Sequence, residues 1–180
     1  MGSQESKNSS HQLQYSHLYM KFWLFDLSGK TIKTDAFVEN YTSRNYTIEG
    51  YQVAPKISYL FSQNASWDIF YEYQNKKNTI GNLETLKQTR LGTSFTYASS
   101  KKLTMNGEFS LYENKFDGDA LTPVAFQMLE GLQPGQNMTW RLLIQKNLTD
   151  YLDININYQG RKSETSQIIH NGNIQLRAYF

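Results

Sequence analysis

A chain of 180 residues in which 18 Lys plus Arg stand against 16 Asp plus Glu has a net charge of +2, too small for the concentrated basic face that nucleic-acid binding needs. There is no cysteine, which excludes disulfides and thiolate metal sites, while aromatics make up 14% of the chain and 13 of them are Tyr. No apolar run approaches the roughly 18 residues of a membrane-spanning helix.

Residues 1–10, "MGSQESKNSS", lack the basic and then apolar regions of an export signal. They are expected to form a flexible tail, and Met1-Gly2-Ser3 suggests an added start on a mature form. From residue 11 on, period-two alternation between turn signals predicts extended segments at 11–27, 31–45, 51–61, 66–77, 86–97, 102–113, 138–148, 151–162 and 168–180. Most exceed the roughly five or six residues usual for soluble strands and suit the roughly 9–11 tilted residues that a bilayer core demands. Short turns expected at 28–30, 62–65, 99–102 and 149–150 alternate with longer links at 45–50, 77–85, 114–137 and 162–167. All tight turns then lie at one end, as in outer-membrane barrels with short periplasmic turns and long external loops. The one helical signal is "VAFQMLEGL" (124–132), between Pro123 and Pro134, on the long external loop 114–137.

Each predicted strand has one apolar and one polar face. In "YLDININYQGRK" (151–162), Leu152, Ile154, Ile156 and Tyr158 oppose Asp153, Asn155, Asn157, Gln159 and Arg161. Apolar residues pointing inward would give a soluble, lipocalin-like barrel for a hydrophobic ligand; apolar residues pointing outward require lipid. Strand length, turn asymmetry and aromatics near strand ends (Tyr51, Phe61, Trp67, Tyr73, Tyr97, Trp140, Tyr151, Tyr158) favour lipid. The fold class expected is therefore an all-β, up-and-down antiparallel transmembrane β-barrel in the bacterial outer membrane. Nine segments conflict with the even strand number of single-chain bacterial barrels. Eight strands starting at residue 31 are expected, with 11–27 either a first strand or a periplasmic segment.

With the polar faces inward, the lumen would hold Lys56, Arg90, Arg141, Arg161 and Arg177 with Asp68, Glu72, Glu108 and Asp153. Buried charges persist when paired, so these nine are expected to plug a narrow bore as a salt-bridge network. Ile174, Leu176, Ala178 and Phe180 share one face of the last strand. A terminal aromatic preceded by apolar residues at two-residue intervals is similar to the signal that engages the barrel-assembly machinery.

Residues 121–180 and "TSRNYTIEGY" (42–51), above all "MLEGLQPGQNMTW", resemble the C-terminal β-barrel domain of Bacteroidota outer-membrane surface proteins. The resemblance covers roughly 42–180 and implies a longer precursor with a region ahead of the barrel. It transfers no catalytic residue.

Catalysis has no constellation to rest on. His11, His17 and His170 are scattered without zinc spacing, His170 with Ser163 or Ser166 sits in a polar loop, and Asp117 with Asp119 offers too few oxygens for calcium. The expectation is a non-enzyme without cofactor or metal, its partners being outer-membrane lipid, the assembly machinery and, as an anchor or accessory, a larger envelope complex docked through the loops.

Overall fold

The computed structural model describes residues 3–39, 45–99 and 103–179. They form one antiparallel sheet of nine strands, each hydrogen-bonded to its neighbours in chain order. The strands are β1 (Gln4–Tyr19), β2 (Trp23–Val38), β3 (Tyr46–Ser62), β4 (Ala65–Asn78), β5 (Thr85–Ser99), β6 (Leu103–Asp117), β7 (Gly135–Thr149), β8 (Leu152–Ser163) and β9 (Ile169–Ala178), with a short helix α1 (Pro123–Leu129) between β6 and β7. Among the described residues no ladder joins β1 to β9, so these two strands are the sheet's edges.

The two faces are sheltered unequally, and in the opposite sense to a soluble protein. Inward-facing Ser110 and Gln88 are 0% and 3% exposed, whereas outward-facing Ile69 and Leu91 are each 52% exposed. Alternation of this kind runs through β3, β4, β5 and β6, whereas in β8 the inward Asn157, Gln159 and Arg161 are exposed. A lipocalin-like interior needs the reverse arrangement, so the structure goes against that alternative.

On β3 and β4 outward apolar side chains fill the part of the strand nearer the short turns. On β4 they run from Trp67 through Ile69 and Tyr71 to Tyr73 and then give way to Asn75 and Lys77; on β3 they run from Phe61 to Tyr51 before Glu49. Such a stretch of about nine residues matches one tilted crossing of a hydrocarbon core. The remaining four to six residues or so of these two strands continue past the apolar stretch on the long-loop side.

The expectation of eight strands beginning at residue 31 is overturned by β1 and β2. The segment from Gln4 is strand, so residues 4–10 are not a free tail, and Ser28-Gly29-Lys30 lies inside β2 paired with Ala54, Val53 and Gln52. The real turn is at Met20–Phe22, where Met20 and Lys21 adopt positive φ (49° and 64°) inside the most apolar run of the chain. A turn without Gly, Asn or Pro leaves no compositional mark. The far half of β1 carries Glu5, Lys7, Ser9 and His11 outward, beyond the apolar belt, so it lacks alternation as well. Later elements keep the expected order of short and long connections: 63–64 and 150–151 are tight, and 79–84, 118–134 and 164–168 are longer. The expected turn at 99–102 lies largely outside the described residues.

The loop 118–134 does not stand free. Val124, Ala125, Met128 and Leu129 of α1 pack with Ile48 of β3 and Leu86 of β5, flanked by Tyr46 and Phe116, all on the inward face. Thr122 caps the helix by accepting from the Ala125 N–H (3.1 Å), Pro123 opens it, and Glu130 (φ 55°) ends it in the left-handed conformation. Lys76, almost wholly buried, donates to the Met128 carbonyl (3.0 Å) and pairs with Glu130 (2.7 Å), tying the loop to β4. Ile48 and Leu86 are flanked on their strands by outward Glu49 and Lys87, so this cluster sits outside the apolar belt.

Candidate functional site: the charged inner face

Strand register arranges the inward residues in rows across the sheet, because directly opposed residues share a face. The row beneath α1 is amide-rich: Gln52 faces Gln74, Gln74 faces Gln88, and Gln88 faces Asn114. Gln88 donates to Asn114 Oδ1 (2.8 Å), and Asn114 donates to the Gln133 carbonyl of the inward loop (2.9 Å). Buried Gln74 Oε1 has no protein partner.

The next rows toward the short turns carry the charges, at the depth of the outward apolar belt. Arg90 is their centre. Its Nε donates to Ser110 Oγ (3.1 Å), one terminal nitrogen lies 2.7 Å from Glu108 Oε1 and the other 3.7 Å from Glu72. Its guanidinium also lies 4.7 Å from the Phe70 ring centre and 5.3 Å from that of Tyr112, a cation between two π faces. Phe70 can lie flat there because Gly92 is opposite: a Cβ on Gly92 would stand 2.3 Å from the ring. Arg141 reaches the second oxygen of Glu108 (3.3 Å). Asp26 and Lys56 form a further pair at 3.2 Å, and Ser16 also donates to Asp26.

All nine charged residues named from sequence lie on the inward face, as the register shows. The structure joins Glu72, Arg90, Glu108 and Arg141 in one network. It leaves the others apart: Asp68 accepts from Ser94 (2.9 Å), Asp153 from the Tyr179 hydroxyl (3.2 Å), Arg161 donates to the Gly131 carbonyl (3.2 Å) and Arg177 to Gln175 (3.3 Å). Asp26, Lys76 and Glu130 are further members that the sequence reading missed. For Lys76 the signal was present, since continuing the β4 alternation past Gln74 puts it on the same face. Asp26 was lost with the misplaced β2, and Glu130 depends on how the loop folds.

Ile174, Leu176 and Ala178 lie on the outward face of β9, where every described residue is exposed; Phe180 lies outside the described residues. The histidine–serine combination does not form. His170 faces outward against the Tyr158 hydroxyl (2.8 Å), whereas Ser163 faces inward and donates to Asn137 Oδ1 (2.6 Å). Among the described residues no cluster of three His, Asp or Glu could hold a metal.

A long-stranded antiparallel meander with one polar and one apolar face has the strand arrangement found in the walls of outer-membrane β-barrels. Comparison with known proteins bears on the fold alone. No family model and no curated sequence matches the chain. Among solved structures it is similar to the outer-membrane channel DcaP of Acinetobacter baumannii, with a TM-score of 0.56 at 10% identity over 98% of this chain. The chain spans about half of that protein, 54% of its length. The NanC porin aligns over 98% of both chains at 12% identity and a TM-score of 0.48.

Proposed function

We propose that the chain is the wall of a non-catalytic β-barrel of the bacterial outer membrane, its lumen narrowed by α1 and by the Arg90-centred ion pairs. One observation carries the reading: polar side chains are sheltered while a belt of Trp, Tyr, Phe, Ile and Leu is left exposed, which only lipid can cover at this extent. The likeness to DcaP supports the same wall architecture. A bore crossed by charge pairs suits an anchor or accessory of an envelope assembly. A resemblance to Bacteroidota surface-protein barrels and a last strand delivered to the assembly machinery belong to the same proposal. A second reading, a solute-selective channel, is favoured by Arg141, whose side chain stays 62% exposed despite its contact with Glu108.

Trp23, Trp67 and Trp140 all face outward in the ladder. Reconstituted into vesicles with brominated acyl chains, the protein should lose most of its tryptophan fluorescence. Fluorescence untouched by bromolipid, in a protein monodisperse without detergent, would sink the membrane reading. Planar-bilayer recording then separates the two uses: silence supports the anchor, small selective currents the channel, and large unselective currents contradict a narrowed lumen.

A further inference from the structure

A recess of about 480 Å³ opens on the inward face where β7, β8 and β9 meet the end of the inward loop. Arg141 and Arg161 line it from adjacent strands. Arg141 is opposite Gln159 and Arg161 is opposite Thr139, so the two guanidinium groups stand on a diagonal of the ladder, roughly 7–8 Å apart at their backbones. Each has donors to spare: a planar guanidinium has five N–H groups, and among the described residues Arg141 uses one on Glu108 and Arg161 one on the Gly131 carbonyl. Glu108 also lines the recess, with one oxygen 2.7 Å from Arg90 and the other 3.3 Å from Arg141, so each of its oxygens already has an arginine partner. Gln159 and Asn171 add amide donors, while Leu132 and Ile169 supply an apolar side.

We propose that this recess binds a small organic anion with a carboxylate head and an apolar body. The carboxylate takes the free N–H groups of Arg141 and Arg161, and the body rests on Leu132 and Ile169. Paired planar donors recognise a carboxylate in a way that a point charge does not, and the apolar side distinguishes an organic anion from an inorganic one. The inference rests on the reading that this face lines the lumen, but not on whether the lumen conducts.

The test is calorimetric titration of the full chain in detergent with benzoate, benzamide and inorganic phosphate. Benzoate should bind more tightly than either of the others, Arg141→Gln and Arg161→Gln should each weaken it by about tenfold or more, and Arg141→Lys should fall between. Lys21→Gln, in the β1–β2 turn, should change nothing. Arg141→Lys keeps the charge, so it separates loss of the fork from loss of the fold. Benzoate binding no tighter than benzamide, equal binding of phosphate, or glutamine variants that bind like the parent would each overturn the proposal. Bromolipid quenching of the same preparation reports the membrane reading separately: quenching without benzoate binding removes the site alone, and binding without quenching removes the membrane reading alone.

Discussion

Arg90 illustrates how single side chains set the character of the inner face. It satisfies Glu72 and Glu108 together while stacked between Phe70 and Tyr112. Arg90→Ala should cost about 2 kcal/mol, less than a fully buried pair because solvent still reaches the site. Thermal melting in detergent measures it, and Arg90→Lys should recover only part, since an ammonium cannot span both carboxylates. On the outward face, Trp140 lies over Gly160, where a Cβ would stand 2.3 Å from the indole. Gly160→Ala should therefore destabilise by about 1–3 kcal/mol through crowding, with a shift in Trp140 emission. At the rim, Glu39 accepts from the Ser3 N–H (3.0 Å) and hydroxyl (3.1 Å), bonds that hold its carboxyl below the usual range. A depressed acid stabilises above its ordinary value and loses that contribution as pH falls through the range below about 4.5. Amide exchange at the start of β1 should accelerate there, and Glu39→Gln should abolish the pH dependence; an unchanged profile in the variant would show that Glu39 plays no part.

Among the elements, α1 is held by one apolar cluster and one buried lysine. Its seven residues are too few to be helical alone, so packing on Ile48 and Leu86 is what makes it a helix. Met128→Ala should cost about 2–4 kcal/mol of that packing, and Lys76→Met should release the Met128 carbonyl and Glu130. Either change should open the loop 118–134 to protease while β1–β9 remain resistant. Cleavage no faster than in the parent would mean that the loop is held elsewhere. The strand extensions beyond the apolar belt carry charged outward residues, among them Glu49, Lys77, Lys87 and Lys115, while inward Ile48, Lys76 and Leu86 hold the loop.

For the whole molecule, the two edge strands set the requirement for assembly. Unpaired backbone groups on β1 and β9 cannot face hydrocarbon, so in a membrane both edges require strand partners. β1 itself covers β2 along 16 paired positions, from Gln4 opposite Val38 to Tyr19 opposite Trp23. Deleting residues 1–19 moves the free edge to β2, whose inward face is half-sheltered, and should abolish heat resistance in detergent. A deletion that still resists heat would return β1 to the status of an appendage.

Alternation with period two makes the strand faces and their inward charges readable from residues alone, because a strand leaves each side chain only two directions. Strand length and the unequal connections follow from the same pattern, from β3 onward. Three things needed the tertiary structure. The β1–β2 turn at Met20–Phe22 is imposed by pairing rather than by turn-forming residues, so the bounds of the first two strands are not legible in the sequence. The inward fold of α1 depends on contacts between residues as distant as Ile48 and Met128. The partners of each charge depend on register across strands: Arg90 meets Glu72 and Glu108 while Arg161 turns to a loop carbonyl, a choice that no single strand encodes because the competing groups lie on different strands.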